Sequence, residues 1–392
     1  DLDMLVRFVE RFGLSAGAKE KGILAEALGA YLVKDDPYEQ REALRAMALI
    51  GDHSMKDLLV SYAKNAQYDE ETRDILKGAL VRCMSAHDII EAAKIPGENL
   101  LVFVDALFDM ADPESIPELK IIFDSTDDWR VKRSVINALV AIGSDKGMDT
   151  FKQALSDDVG NVRRSAAVAI KGFRDSTVIE MLLDAIKKEP YEDVREAMAD
   201  ALVSYSGEDA DEVFRRFLES EESFLRSVGI KGFSRMAPSD LALRLAWLLM
   251  KDDAPTVRCD ALNGFRYADS HAMFKAAVSA MNDQAKEVRG LALDMLFEMA
   301  DGVPYIIEAL SDEDIWVRFK AAGMLSERPA EEAEERLLHA LEKDEIPVKV
   351  HAAKALGAIR SKKSVPLLRG FMEHDDETLK EASREALSMC LA

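Results

Sequence analysis

Cysteine and histidine are the side chains that most often act as nucleophiles, general bases and metal ligands. The three cysteines, Cys83, Cys259 and Cys390, lie far apart in the sequence and form no CxxC pair. No histidine lies close to Cys259 in the sequence to activate its thiol, so we expect an ordinary residue on a helix surface. The chain also lacks GxGxxG and GxxxxGK followed by Ser or Thr, the glycine-rich patterns that bind phosphates. The sequence therefore predicts no catalytic residues, no metal site and no cofactor.

A second kind of chemistry is the binding of a partner by charged side chains. The densest basic cluster consists of Lys132, Arg133, Arg163 and Arg164. Against the acidic background of this chain, the cluster is predicted to bind an acidic segment of a partner protein. The alternative is that Lys132 and Arg163 belong to structural ion pairs and that Arg133 and Arg164 are ordinary solvated residues.

Aromatic side chains are the other candidate anchors for a partner. The sequence pattern places Trp129 and Trp316 in the turn just before a helix, where a large ring is not obviously required. Phe319 lies one turn further along. Aromatic rings with arginines nearby are the usual energetic anchors of an interface. The alternative is that both tryptophan rings fill gaps between neighbouring structural repeats.

The charge balance argues against several classes of partner. The chain has 73 acidic and 51 basic residues and a net charge of −22. We expect no nucleic-acid or membrane binding, because phosphate contacts need clustered Lys and Arg and no apolar run approaches the roughly 20 residues that span a bilayer. Three scattered cysteines indicate a reducing compartment, so the cytoplasm is the predicted location. The chain begins with Asp1, so we expect it to be trimmed or part of a longer protein.

A short pattern returns along the chain at a steady interval of 29 to 32 residues. Each copy has an acidic residue, such as Asp158 or Asp312, four or five positions before an apolar-basic pair. Apolar residues then follow at about +4, +5 and +8, which is one stripe of an α-helix. The nine pairs are Val131-Lys132, Val162-Arg163, Val194-Arg195, Leu225-Arg226, Val257-Arg258, Val288-Arg289, Val317-Arg318, Val348-Lys349 and Leu379-Lys380.

The repeat determines the predicted fold. Apolar residues make up 48% of the chain but aromatic residues only 7%, and the abundance of Ala, Leu and Met favours helices. Two helices and two short turns fill each period, and stacked helix pairs can share one core. The sequence predicts an all-α, right-handed α-solenoid of about twelve repeats. Residues 1–35 are predicted to be a degenerate N-terminal repeat or cap, and residues 36–392 one continuous solenoid that is most regular over 127–392.

The repeated unit resembles a known family. The phrase D-x-x-x-x-V-R-x-x-A-A-x-A-L, followed by a turn and a V-P-x-L segment such as "SVPLLRGF" at 364–371, resembles the HEAT repeat. The likeness is to the short PBS-lyase HEAT-like form of bacteria and archaea. "GVPYIIEAL" at 302–310 and "SIPELKIIF" at 115–123 carry the proline usual in the first helix of that unit.

The resemblance implies that the second helices line a concave face. It also implies a ladder of acids and bases between repeats, here eleven rungs from Arg41 to Lys380. An exposed rung would contribute about 0.5 to 1 kcal/mol. The function that the resemblance implies is a non-catalytic scaffold, expected to be a monomer, that binds a partner protein or peptide on the concave face.

Catalytic relatives of this fold provide the alternatives. Deoxyhypusine hydroxylase uses His-Glu pairs, and none of the six histidines here is followed by Glu. HEAT-like DNA glycosylases need a basic channel, which a net charge of −22 disfavours. A lyase or chaperone-type factor that acts on a cofactor-bearing protein, as in phycobilin lyase subunits, stays open as the second hypothesis.

Overall fold

The computed structural model describes residues 2–94, 99–143, 145–171, 173, 175, 177–235 and 240–392. Within those ranges the chain forms 25 α-helices and nine short 3-10 helices, and no residue is in a strand. The predicted all-α solenoid class is confirmed. None of the helices in these ranges combines the length and the apolar character that a membrane crossing would require.

The chain divides into two compact units, and unit 1 comprises Asp1–Tyr205. Each odd-numbered helix from α3 to α13 packs against the even-numbered helix before it, and those from α3 to α11 also pack against the next odd-numbered helix. The helices are α1 Leu2–Phe12, α2 Ala18–Leu32, α3 Pro37–Ile50, α4 Lys56–Asn65, α5 Glu70–Cys83, α6 Ala86–Lys94, α7 Leu100–Met110, α8 Ile116–Ser125, α9 Trp129–Ile142, α10 Met148–Ala154, α11 Gly160–Ile170, α12 Val178–Lys188 and α13 Glu192–Val203.

Unit 2 comprises Ser206–Ala392 and repeats the same arrangement. Its helices are α14 Glu208–Leu218, α15 Ser223–Arg235, α16 Asp240–Leu249, α17 Pro255–Gly264, α18 Ser270–Ala280, α19 Lys286–Phe297, α20 Val303–Ala309, α21 Ile315–Glu327, α22 Glu334–Lys343, α23 Ile346–Ala358, α24 Val365–Gly370 and α25 Glu377–Leu391. From α2 to α25 the even helix is the first and the odd helix the second of a pair, six pairs in each unit. The continuity of residues 36–392 across the two units stays a prediction.

Local signals in the sequence start the two kinds of helix differently. Second helices often follow an aspartate whose carboxylate accepts a backbone N–H of the first turn, as Asp36 does from Tyr38 and Asp69 does from Thr72. Several first helices follow a 3-10 turn instead, as α20 follows 300–302. Neither start is universal, because Asp269 caps the first helix α18 and the second helix α19 has no side-chain cap.

The apolar stripe predicted at +4, +5 and +8 forms the core between helices. In α23, Val348, Ala352, Ala353 and Leu356 are all completely buried. The corresponding residues of α21, Val317, Ala321, Ala322 and Leu325, are at most 2% exposed. Alanine at two of the four positions lets neighbouring second helices approach closely, so each pair covers the apolar face of the next.

A buried arginine joins each regular repeat to the next. The Nε and Nη2 atoms of Arg289 both donate to the carboxylate of Asp312, 23 residues later, over 2.8 Å. Its Nη1 donates to the carbonyls of Asp283 and Gln284 in the preceding turn. The Asp312 carboxylate also accepts the backbone N–H of Asp314 at 2.8 Å. Because the two side chains are only 6% and 10% exposed, this rung is a buried ion pair rather than a surface contact.

Four other arginines make the same two-point contact with a carboxylate of the next repeat, and Lys132 makes a single contact with Asp157 at 2.6 Å. The four pairs are Arg163–Glu189, Arg226–Asp252, Arg258–Asp283 and Arg318–Asp344. Hydrogen bonds from Arg226 hold the pKa of Asp252 below its usual value, against the burial that raises it. The acid form of Asp252 is therefore disfavoured, and this rung is charged.

The ladder differs from its prediction in register and extent. In the turn before α11 the rung acid is Asp157, whose carboxylate pairs with Lys132 of α9 and whose carbonyl accepts a hydrogen bond from Arg163; the predicted acid, Asp158, offers Arg163 only its carbonyl. Near the C-terminus Lys349 lies over the ring of Phe371, and Lys380 pairs with Glu377 of its own helix. The prediction of eleven rungs reaching Lys380 was therefore wrong. A lysine has no planar fork that imposes the two-point geometry, so it can pair with the next repeat, as Lys132 does, or make another contact, as Lys349 and Lys380 do.

Replacing Arg289 by alanine tests the ladder. The change leaves the Asp312 carboxylate buried without its partner, and removing one member of a buried pair costs about 3 to 5 kcal/mol. We expect a loss of that size in the free energy of unfolding, measured with denaturant on the full chain. The control is Arg384→Ala on the exposed surface of α25, which should change stability by less than about 0.5 kcal/mol. Equal effects of the two changes would contradict a structural role of the rung.

Gly302 provides a second test, because a Cβ atom there would lie 2.0 Å from the backbone oxygen of Leu296. The backbone must shift to relieve that overlap, so we expect Gly302→Ala to destabilise the fold by about 1 to 3 kcal/mol. The control is Gly78→Ala inside α5, where nothing lies within 4 Å of the added methyl. That change should stabilise the helix by about 0.5 to 1 kcal/mol. If Gly302→Ala and Gly78→Ala shifted the thermal unfolding midpoint in the same direction, the close approach of Gly302 to the Leu296 backbone would be refuted.

Candidate functional site

The predicted basic cluster divides into two kinds of residue. Lys132 and Arg163 are rungs of the ladder, and hydrogen bonds to Glu189 raise the pKa of Arg163. Arg133 and Arg164 are exposed. The guanidinium of Arg133 lies 5.2 Å from the ring centre of Trp129, and the Nε of Arg164 lies 3.9 Å from a carboxylate oxygen of Asp193. The charge available to a partner is therefore that of Arg133 and Arg164.

The sequence pattern placed the two candidate tryptophans in the turns that precede two helices. In the structure both lie within those helices. Trp129 is the first residue of α9, and Trp316 is the second residue of α21. The reason is helix capping. Asp128 accepts the N–H of Arg130 and Asp314 accepts the N–H of Trp316, and these bonds start each helix one or two residues earlier than the sequence pattern predicted. Trp129 is half-buried, whereas Trp316 is 65% exposed. The Trp316 ring therefore does not fill a gap between repeats.

Trp316 and Phe319 form one wall of a groove between α19 and α21. Their rings meet edge to face with centres 5.8 Å apart, and the ring of Phe319 also meets that of His351 at 4.8 Å. The groove has a volume of about 550 Å³. It is lined by Lys286, Glu287, Gly290, Leu291, Asp294, Trp316, Val317, Phe319 and Lys320. Aromatic and aliphatic carbon thus makes up most of the lining of this depression.

Gly290 creates the depression, and the sequence analysis did not single it out. It directly follows Arg289, as Phe319 directly follows Arg318, so the two residues hold equivalent positions in neighbouring second helices. A methyl group at Gly290 would have only the ammonium of Lys320 nearby, at 3.9 Å. The missing side chain leaves room beside the Phe319 ring. A comparison of residues that follow each rung arginine could have found this signal in the sequence.

The rim of the groove is polar, and both of its lysines are paired. Lys320 contacts Asp294 at 2.7 Å, and Lys286 contacts Asp314 at 3.5 Å. An apolar centre with a paired, solvated rim is the usual composition of a protein interface. The groove can therefore take up an apolar side chain, whereas both of its lysines are already engaged.

The described residues offer little for catalysis. No group of three or more His, Cys, Asp or Glu side chains that could hold a metal ion is found in the part of the chain that the structure describes. Burial raises the pKa of Cys259 to about 11, so its thiol is protonated at neutral pH and is a poor nucleophile. Burial lowers the pKa of His351, because the charged form of histidine is the protonated one. Its imidazole is therefore neutral and serves as a packing partner of Phe319.

Comparison with known proteins identifies the fold. The family model described as HEAT repeats matches residues 99–171, 148–234 and 303–388, which together cover more than half of the chain. No curated protein matches the sequence significantly.

Three solved structures share the arrangement of helices. A structure of Kap95p that concerns its binding to RanGDP is 12% identical, with a TM-score of 0.63, and the match covers 98% of this chain and 63% of Kap95p. Kap121p bound to RanGTP is 15% identical, with a TM-score of 0.60 and coverage of 99% and 52%. Yeast importin-β, again Kap95p, is 13% identical, with a TM-score of 0.58 and coverage of 100% and 64%. The chain thus spans between half and two thirds of the length of these proteins, and at such low identity the likeness concerns the fold.

The repeated helix pairs, the arginine ladder between them and the family match agree: the chain belongs to the HEAT-repeat family.

Proposed function

We propose that the chain is a non-catalytic scaffold that binds a partner protein or peptide on the surface of its second helices. The observation that carries this proposal is the groove beside Trp316, where an exposed aromatic ring borders an apolar depression. Exposed tryptophan is costly in a solvent-facing position and is the residue type most enriched among interface anchors. A partner would insert an apolar side chain between Trp316 and Phe319, in the space beside Gly290.

The similar solved structures support a protein as the partner. Kap95p has been solved in a complex with Nup1, and Kap121p has been solved bound to Pho4p. Both proteins share the fold of this chain and bind other proteins. We extend only that general role to this chain, as a scaffold that works without a cofactor, as a monomer and in the cytoplasm.

A second contact is proposed in unit 1, at Arg133 and Arg164. Both residues follow a rung residue directly, so they occupy the same position in neighbouring second helices, α9 and α11. Their charges are exposed in a chain whose net charge is −22. An acidic segment of the partner would be attracted to this basic patch and repelled by the acidic remainder of the surface.

Truncation of Trp316 tests the groove. We expect Trp316→Ala to lower the amount of captured partner at least tenfold, because anchor residues cost about 2 kcal/mol or more when truncated. The measurement is quantitative mass spectrometry of proteins that co-purify from an extract of the source cells. The control is Leu248→Ala, which removes a side chain of similar exposure, 66%, from a first helix of the same unit. Capture of the same proteins in equal amounts by both variants would refute the role of the groove.

Charge reversal tests the basic contact separately. The double change Arg133→Glu with Arg164→Glu should weaken binding of the captured partner, and added salt should then strengthen rather than weaken the remaining binding, because salt screens the repulsion between the new carboxylates and the acidic segment. The thermal unfolding midpoint should stay within a few degrees of the original, since neither residue is a rung of the ladder. Arg133→Lys with Arg164→Lys is the control that keeps the charge. Unchanged affinity in the reversed variant would remove this contact from the proposal.

A further inference from the structure

The groove at Trp316 contains one charged side chain that has no partner of opposite charge. Its lining, which lies within the continuously described range 242–392, includes four charged residues: Lys286, Glu287, Asp294 and Lys320. Both lysines and Asp294 take part in ion pairs. None of the residues that the structure describes forms an ion pair or a hydrogen bond with the side chain of Glu287. The exposed carboxylate of Glu287 is therefore available to a ligand.

Glu287 borders the groove from α19, as Trp316 borders it from α21. Glu287 directly precedes Val288 and Trp316 directly precedes Val317, so the two residues hold equivalent positions in neighbouring second helices. Packed helices lie about 8 to 10 Å apart. Glu287 also stands three positions before Gly290, which places both residues on one face of α19. The carboxylate and the indole ring thus border the same open space from two helices.

Negative charge prevails on the side of Glu287 that faces α17. The pKa of the Cys259 thiol is raised to about 11 by burial first, and then by the carboxylates of Asp260, Asp283 and Glu287. The opposing effect of Arg258 is smaller than each of these. The electrostatic field beside the groove is therefore negative, and it attracts a cationic group and repels an anionic one.

A basic side chain is the cation that suits this wall of the groove. A single carboxylate does not hold Ca²⁺ or Mg²⁺, because these ions need several oxygen ligands. Lysine and arginine pack a hydrocarbon stem on apolar surface and keep the charged end free to pair. A purely apolar ligand would instead remove water from the Glu287 carboxylate and leave it without a partner, which is unfavourable.

We infer that the groove binds a peptide segment in which an apolar residue is flanked by arginine or lysine, whose charge pairs with Glu287. The inference rests on the proposed function, because the apolar residue is the one that enters the space beside Gly290. It adds the chemical class of the segment, which is apolar and basic. The contact proposed at Arg133 and Arg164 takes a different, acidic segment of the partner.

Three synthetic peptides test this charge preference on the full chain. They are acetyl-Arg-Leu-Arg-amide, the same peptide with uncharged citrulline in place of arginine, and acetyl-Glu-Leu-Glu-amide. The measurement is the saturable shift of the Trp316 indole N–H signal in ¹H–¹⁵N NMR, which Trp316→Phe identifies among the three tryptophans. We expect the arginine peptide to bind about threefold more tightly than the citrulline peptide, the size of an exposed ion pair, and the glutamate peptide to bind most weakly.

The variant Glu287→Gln should bring the affinity of the arginine peptide down to about that of the citrulline peptide. The matched control is Glu332→Gln, which removes an exposed acid of the same unit outside the groove and changes the net charge equally. This control should keep the preference for arginine. Circular dichroism of each variant verifies that the helices are retained.

The possible failures of the test are distinguishable. Equal affinities of the three peptides for the original chain, or an equal loss of preference in both variants, would overturn the role of Glu287 while the apolar groove stands. If none of the peptides shifted the Trp316 signal, the groove itself would be refuted as a binding site, and the proposed function would fail with the inference.

Discussion

The two-point pairing of a buried arginine with a carboxylate of the next repeat is the interaction on which the structure depends. Contacts between Ala, Leu and Val are not directional, so helices covered with them could slide past one another. The guanidinium contributes direction because its two donors must face both carboxylate oxygens. Its third nitrogen binds the carbonyls of its own turn. In unit 2 the resulting chain of contacts is unbroken from Arg226 to Asp344.

The ladder also explains how one surface can carry different kinds of chemistry. The residue directly after a rung arginine is rotated about 100° around the helix. After Arg226 this residue, Ser227, is buried, but in four other helices it leaves the buried seam. That position is Arg164 in α11, Cys259 in α17, Gly290 in α19 and Phe319 in α21. One position is thus constrained by stacking, whereas its neighbour is free to be charged, small or aromatic. The basic patch and the aromatic groove both arise from this freedom.

The division between positions constrained by stacking and positions free to vary explains why the fold is shared so widely and the function is not. Structures with 12 to 15% identity superpose on this chain, because each repeat needs only a few small apolar residues and a means of holding register. The remaining residues can diverge without loss of the fold. Membership of the family therefore indicates how the helices stack, whereas the particular surface residues determine what is bound.

The sequence by itself determined the period, the pairing of helices and the apolar stripe, because helical periodicity is local and recurs twelve times. It also pointed to Trp316 and Phe319 as unusual residues. Only the tertiary structure decided that Asp157 rather than Asp158 meets Lys132, that Trp316 is exposed, and that Gly290 opens a groove beside Phe319. Such contacts join residues some 25 to 30 positions apart in the chain. Their geometry follows from how two helices pack, which side-chain spacing along one helix does not specify.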